Sequence, residues 1–179
     1  MTNHQTPFEL LQTLAERARL NARPLPMLSE SKPMWDGIGC IFAGIRVMVP
    51  LREVSEIVPC AALAAIPGAK HWAVGVANIR GTLITVINLA GLLGKPNSRI
   101  TSQSRILVIN LPELSAGILV DSVLGMRHFD YDSQVTELRI REPEIIPYIR
   151  GGFNDDEHIW PVFSLAALAK TTDFMNIAA

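Results

Sequence analysis

Short apolar runs separated by polar or turn-forming residues dominate the chain after Trp35. Gly, Pro, Asn and Asp lie between the runs, which is typical of short strands joined by tight turns. A parallel sheet would need helix-length connections, and the runs lie too close together for them. The pattern therefore predicts a mostly β fold, as a barrel or a sandwich. The candidate strands are residues 40–42, 45–49, 54–58, 74–77, 83–87, 106–109, 117–120 and 158–163.

A helix is predicted before these strands. Thr6 and Glu9 have the spacing of a capping box, and Pro7 suits the first helical position. Apolar residues then recur every three or four positions, so the helix has an apolar face that needs a partner. A Pro- and Ser-rich linker is predicted at 24–32. We expect the helix and linker in residues 1–34, a β domain in 35–172 and a C-terminal tail in 173–179.

Two stretches of the chain are similar at a constant spacing. Gly75 and Asn78 recur as Gly151 and Asn154, and segment 86–90 recurs at the same spacing as segment 162–166. In each copy a strand is predicted to lead into an N-cap residue, Asn88 or Ser164, and then a short apolar helix. Val49 and Val120 form a weaker matching pair. The repeat favours two similar small barrels, with chance similarity as the alternative.

Composition and charge exclude several classes of protein. Hydrophobic residues make up 49% of the chain and charged residues 18%, which is far from the composition of disordered chains. The net charge of −1, without a basic block, argues against a nucleic-acid partner. Residues 72–87 carry Asn78 and Arg80 near their middle, which argues against a membrane span. Because residues 1–5 do not resemble a secretory signal, we expect a cytoplasmic protein.

Residues with chemical potential do not form a recognisable site. The histidines, which lack metal-ligand spacing, are His4, His71, His128 and His158. Residues 155–158 are predicted to form a solvated hairpin turn. Residues 91–95 lack the spacing of a phosphate loop, and Gly94 is interpreted as the end of a short helix. Cys40 and Cys60 are interpreted as reduced core thiols, with a disulfide as the alternative.

We therefore predict no catalytic residue, no metal and no cofactor, and a protein that acts by binding other proteins. Acid and base residues need not be close in sequence, so a small enzyme without a sequence motif is the alternative.

One segment resembles a known family. Residues 72–81 read Trp-Ala-Val-Gly-Val-Ala-Asn-Ile-Arg-Gly, and a second strand and a Leu-rich helix follow at 83–93. This order resembles the chemotaxis coupling proteins, the CheW-like domains. The segments 50–58, 66–68 and 117–123 resemble further parts of that family. The resemblance covers residues 35–171 and implies a mostly β fold of two small five-stranded, SH3-like barrels on a shared core, with short helices.

Four further segments narrow the resemblance. Residues 5–8, 37–39, 125–129 and 163–164 resemble the coupling proteins of type IV pilus, twitching-motility chemosensory systems. One departure is Asn88, where the family often has Asp before the Leu-rich helix. The helix cap is retained there, and the negative charge is not.

The resemblance implies a non-catalytic adaptor. It would connect the cytoplasmic tip of a methyl-accepting chemoreceptor to the regulatory domain of a CheA-like histidine kinase, beside membrane-anchored receptor arrays. The implied receptor-binding residues are Val54, Glu56, Asn78 and Arg80. The structural alternatives are core packing for Val54, a surface ion pair for Glu56 and a solvated turn for Arg80. No kinase-binding residue is assigned, and a CheW-like module with unrelated partners is a further alternative.

Gly75 and Gly81 are expected to be structural. Gly75 would allow close backbone approach, and Gly81 would adopt a positive φ angle that other residues rarely adopt.

Overall fold

The computed structural model describes residues 6–20, 33–60, 62–111, 114–155 and 157–177. The chain divides into two compact units, Met1–Lys32 and Pro33–Ala179. The predicted linker at 24–32 lies outside the described residues.

Helix α1, Pro7–Leu20, belongs to the first unit. Its predicted capping box is confirmed: the Thr6 N–H donates to Glu9 Oε2 at 2.9 Å, and the Glu9 N–H donates to Thr6 Oγ1 at 3.4 Å. The apolar side chains Phe8, Leu11 and Leu14 are exposed on this helix.

Short strands dominate the second unit. In its described part the strands are β1 (Met34–Phe42), β2 (Ile45–Pro50), β3 (Val54–Pro59), β4 (Ala73–Ile79), β5 (Thr82–Asn88), β6 (Arg105–Ile109), β7 (Ala116–Val120), β8 (Ser122–Asp130), β9 (Gln134–Val135), β10 (Ile149–Asn154) and β11 (Ile159–Phe163). Three short helices, α2 (Leu89–Leu92), α3 (Leu165–Ala169) and α4 (Thr172–Met175), accompany them. The mostly β prediction is confirmed.

The strands form two sheets. One has six strands in the order β8-β1-β2-β11-β10-β9, and the other has five in the order β3-β6-β7-β5-β4. Neither strand order closes into a ring. In the five-stranded sheet β3 and β4 are the outer strands. Two SH3-like halves fit this arrangement, one with a sixth, two-residue strand.

The two sheets exchange strands. β3 follows β2 in the chain but pairs with β6 of the other sheet, and β8 follows β7 but pairs with β1. Each half therefore depends on a strand supplied by the other, so the halves cannot form as independent units. The sheet orders also correspond, with β3 matching β8, β4 matching β10 and β5 matching β11.

The predicted internal repeat is confirmed by strand register. In the β4–β5 hairpin Ala73 pairs with Ile87 and Asn78 with Leu83. At the spacing of the sequence repeat, Ile149 pairs with Phe163 and Asn154 with Ile159 in the β10–β11 hairpin. Both hairpins lead into capped helices, since the Gly91 N–H donates to Asn88 Oδ1 and the Ala167 N–H to Ser164 Oγ.

All eight predicted strands are present, and β8, β9 and β10 are the strands that the apolar pattern missed. β8 is an outer strand with most of its side chains exposed or half-exposed, so it lacks a long apolar run. β10 contains Gly151 and Gly152, which weaken a strand signal.

The β domain extends further toward the C-terminus than the predicted boundary at residue 172. The sequence predicts a tail at 173–179, but Phe174 is buried and the Lys70 N–H donates to the Ile177 carbonyl at 2.9 Å. Residues up to Ile177 therefore extend the β domain, because their apolar side chains pack against its core.

The remaining local predictions concern cysteines, a helix end and membrane spans. No disulfide joins Cys40 and Cys60, and burial raises the pKa of the Cys40 thiol to about 12. Gly94 ends α2 with a φ of +75°, as predicted. Within the residues that the structure describes, no helix is long and apolar enough to cross a membrane.

Candidate functional site

A groove separates the outer strands β3 and β4 of the five-stranded sheet. It has a volume of about 340 Å³. Its lining residues are Glu56, Val58, Pro59, Ala62, Ala77, Asn78, Ile79, Arg80 and Ile106. Three of the four residues predicted to bind a receptor therefore meet here, although β3 and the β4–β5 turn are distant in sequence.

Glu56 and Arg80 form an ion pair across this groove. The Arg80 Nη2 atom lies 3.0 Å from Glu56 Oε1, and the Arg80 side chain is 82% exposed against 27% for Glu56. A pair this exposed contributes only about 0–1 kcal/mol to folding. Arg80 is therefore not held by a buried acid, and its guanidinium has further N–H donors for a partner carboxylate.

The β4–β5 turn presents Arg80 at the groove. Ile79 pairs with Thr82, so Arg80 and Gly81 are the two central residues of a tight hairpin turn. Both have positive φ angles, +50° and +87°, as the type I′ turn requires. The Asn78 side chain supports the turn, since its Oδ1 accepts the Gly81 N–H at 2.8 Å. Asn78 thus has a local structural role beside its predicted role in binding.

Gly75 allows the segment after β3 to lie close to β4. A Cβ atom at Gly75 would lie 2.6 Å from the Ala64 carbonyl oxygen, and its φ is +150°. This contact lets Ala64 pair with Val76 in an isolated bridge, which holds the segment after β3 against β4. The expectation of close backbone approach at Gly75 is confirmed.

Val54 lies apart from the groove. Its side chain is buried in the main core, and the residue pairs with Ile109. Core packing, the structural alternative for this residue, describes its position, so the side chain is not part of the groove surface.

The groove has the chemistry of a binding surface. Its floor is apolar, formed by residues such as Val58, Ala77 and Ile106, and its charges are confined to the Glu56–Arg80 pair. Within the described residues, no three metal-ligating side chains gather to hold an ion. An apolar trough with a guanidinium at its rim suits an amphipathic segment that carries a carboxylate.

Sequence reasoning missed Glu53, which connects the two sheets. This buried carboxylate accepts the Ser164 hydroxyl at 3.0 Å and the Ala166 N–H at 3.0 Å. It therefore lies at the N-terminus of α3, where the helix dipole favours a negative charge. No local signal identifies this role, because the partners are far apart in the chain.

A second ion pair was also missed. The Arg127 Nη1 atom donates to Asp155 Oδ2 at 3.0 Å. Asp155 belongs to the predicted hairpin turn, which is confirmed by the His158 N–H donating to its Oδ1 at 2.8 Å. The Trp160 indole N–H donates to the same carboxylate at 2.6 Å and is the largest cause of the lowered pKa of Asp155.

Comparisons with known proteins agree with this architecture. The family model for the CheW-like domain matches residues 36–173. The chain is 38% identical to protein PilI of Pseudomonas aeruginosa over 178 residues, which cover 99% of each chain. It is 27% identical to protein FrzA of Myxococcus xanthus over 134 residues, 75% of this chain and 77% of that protein.

A solved structure has a similar fold. The scaffolding protein TtCheW from Thermoanaerobacter tengcongensis superimposes with a TM-score of 0.69 over 82% of this chain and 100% of that chain. Its sequence identity is 20%, so this likeness concerns the fold.

Proposed function

The chain belongs to the CheW-like domain family, and from this premise we propose that it is a non-catalytic adaptor that couples a transmembrane chemoreceptor to a histidine kinase. The similarity to PilI over 99% of both chains supports a place in a type IV pilus, twitching-motility pathway. In this proposal the protein acts in the cytoplasm, at the receptor tips of membrane-anchored arrays.

The observation that carries the proposal is the exposed Arg80 guanidinium at the rim of an apolar groove. Receptor tips are helical bundles, and an amphipathic helix binds such a groove through apolar residues on one face. A carboxylate on the same helix would accept from Arg80, whose planar fork matches a carboxylate in two parallel hydrogen bonds.

Glu56 has a supporting role in this proposal. Its carboxylate is less exposed than Arg80 and holds the guanidinium in place before the receptor binds. A pre-positioned side chain loses less conformational entropy on binding, which favours affinity. Asn78 contributes through the turn, since its hydrogen bond to Gly81 fixes the conformation that presents Arg80. Val54 is left out of the proposed surface because its side chain is buried.

Coupling requires a second partner as well as the receptor. An adaptor transmits a signal only when each partner changes the affinity or geometry of the other through a shared rigid element. The exchange of β3 and β8 between the sheets makes the β domain such an element. We propose the regulatory domain of a CheA-like kinase as the second partner, without assigning its contact residues.

Reconstitution tests the proposal. The full chain is mixed with the cytoplasmic fragment of a chemoreceptor and the regulatory domain of a CheA-like kinase, and complexes are separated by size-exclusion chromatography. We expect both binary complexes and a ternary complex. If the chain binds neither fragment at concentrations of about 100 μM, where weak signalling contacts are still detected, the adaptor function is wrong.

A further inference from the structure

The six-stranded sheet has a second groove at the place that corresponds to the first. β8 matches β3, since each follows a strand of one sheet and pairs in the other. The bridge between Ala64 and Val76 has a counterpart in the pairing of Val135 with Gly152. Val76 and Gly152 are related by the spacing of the internal repeat. The gap between β3 and β4 is therefore repeated between β8 and β10.

An ion pair spans each gap, with the strand partner at a matching place and the turn partner shifted by one residue. The spacing from Glu56 on β3 to Arg127 on β8 equals the spacing from Ala64 to Val135. Glu56 and Arg127, the strand residues of the two ion pairs, therefore correspond. Asp155, which pairs with Arg127, directly follows β10, as Arg80 directly follows β4. At the repeat spacing Asp155 corresponds to Ile79, one residue before Arg80. Both pairs have a nitrogen–oxygen distance of 3.0 Å. The second pair has the opposite polarity, because its cation is on the strand and its carboxylate is in the turn.

The two pairs nevertheless present the same charge to solvent. The Arg127 side chain is 44% exposed and that of Asp155 is 20% exposed, so the guanidinium is again the outer group. Asp155 is held beneath it by the Trp160 indole N–H and the His158 N–H. Arg127 also lies over the Trp160 ring, 4.5 Å from its centroid. This arrangement fixes a cation at the rim, with N–H donors beyond the one that binds Asp155.

The second groove has a volume of about 480 Å³. Its lining residues are Met126, Arg127, His128, Phe129, Asp130, Ser133, Asn154 and Asp155. Met126 is 57% exposed and supplies an apolar contact surface beside Arg127. His128 is paired with Asp36 at 2.6 Å, and Asp130 Oδ1 accepts the Asp132 N–H at 3.0 Å. Arg127 therefore supplies the guanidinium that a carboxylate on a ligand would meet.

We propose that this second groove binds a second chemoreceptor helix, so that one chain connects two receptor fragments. The helix would place an apolar side chain against Met126 and a carboxylate against Arg127. The occupant follows from the matching construction of the two grooves, each with an outward guanidinium beside an apolar surface. The inference rests on the proposed receptor binding at the first groove.

The stoichiometry of receptor binding tests the inference. The probe is the cytoplasmic fragment of a chemoreceptor, titrated into the full chain by calorimetry, with complex mass measured by sedimentation. We expect two sites on each wild-type chain. One site should be weakened about 5- to 150-fold in Arg127→Ala, the other site by a similar factor in Arg80→Ala, and both sites in the double variant. Arg139→Ala is the matched control, because Arg139 is exposed and lines neither groove, and it should keep two.

A second variant guards against an effect on folding. Met126→Asp leaves the Arg127–Asp155 pair in place and puts a negative charge where an acidic helix would lie, so it should also weaken one of the two sites. Thermal melting of each variant establishes that it is folded before binding is measured.

The outcomes separate the two proposals. If Arg80→Ala weakens a site while Arg127→Ala and Met126→Asp leave every site unchanged, the second groove is overturned and the first stands. Affinities unchanged at every site in every variant, Arg80→Ala included, would overturn both.

Discussion

The Ser164 hydroxyl donates to the Glu53 carboxylate at 3.0 Å, although the two residues lie far apart in the chain. Glu53 immediately precedes β3, the strand that leaves one sheet for the other, and Ser164 is the N-cap of α3. The bond therefore fixes the start of the exchanged strand to a helix of the six-stranded half. The same carboxylate accepts from the first turn of α3 through the Ala166 N–H.

Replacing Glu53 tests this connection. Glu53→Ala leaves the Ser164 hydroxyl and the Ala166 N–H without their charged acceptor, so the free energy of unfolding should fall by about 2–3 kcal/mol. Urea unfolding followed by circular dichroism measures the change. Glu137→Ala, at an exposed position, is the control and should alter stability little. Equal stability of both variants would contradict a structural role for Glu53.

Gly75 gives a steric prediction with an internal control. Gly75→Ala should lower the free energy of unfolding by about 2–4 kcal/mol, because it combines a positive φ with a Cβ overlap on Ala64. Gly44 has a φ of +76° and open space around its Cβ position. Gly44→Ala should therefore cost only about 1 kcal/mol. The difference between the two midpoints in urea reports the overlap together with the stricter backbone conformation at Gly75, and a difference near zero would show that no close approach occurs.

Arg80→Ala separates binding from stability. Loss of the guanidinium should weaken binding of a receptor cytoplasmic fragment by about 1–3 kcal/mol, the range for a charged interface hydrogen bond. The free energy of unfolding should change by less than about 1 kcal/mol, because the ion pair with Glu56 is exposed. Arg80→Lys keeps the charge without the planar fork, so its receptor affinity should lie between those of wild type and Arg80→Ala. A large loss of melting temperature with unchanged receptor affinity would make Arg80 structural.

The lowered pKa of Asp155 predicts a pH-dependent contribution to stability. The hydrogen bond from the Trp160 indole is its main cause, with the His158 N–H and Arg127 contributing. A carboxyl whose pKa is lower in the folded state stabilises above its unfolded value, and the contribution is lost as pH falls through the folded value.

Asp155→Asn should therefore be less stable than wild type at neutral pH, with a difference that shrinks as the pH falls below the ordinary value of 3.8. Chemical unfolding at a series of pH values checks this. Glu157→Gln, in the same turn and 84% exposed, should show little such change. A stability difference independent of pH would contradict the assignment.

The first compact unit is predicted to be dispensable for folding. Deletion of residues 1–33 removes α1 and the predicted linker, and a boundary between compact units falls at Lys32 and Pro33. We expect the shortened chain to keep a cooperative thermal transition. A non-cooperative transition would mean that α1 is part of the core of the β domain.

Local signals identified much of the fold because they depend on neighbours in the chain. The capping box at Thr6, the N-caps Asn88 and Ser164 and the helix end at Gly94 each involve residues a few positions apart. The buried strands were visible because two apolar faces give an uninterrupted run. β8 was missed because an outer strand buries little of its surface.

The candidate site was predicted in part. Glu56, Asn78 and Arg80 were singled out through a family resemblance, and the structure brings them to one groove. Val54 came from the same resemblance, and its side chain lies in the core. Side chains along a strand point alternately to the two faces of the sheet, and packing against other elements decides which face is buried. The burial of a single Val therefore cannot be predicted from the strand sequence alone.

The sequence by itself determined α1, eight of the eleven strands of the described β domain and the similarity of two hairpin-and-helix units. Only the tertiary structure decided that β3 and β8 change sheets, that Glu53 meets Ser164 and that a guanidinium lies at the rim of two matching grooves. The physical reason is distance along the chain. Periodicity and capping act over a few residues, whereas a contact between distant residues exists only after the sheets have brought both partners to one place.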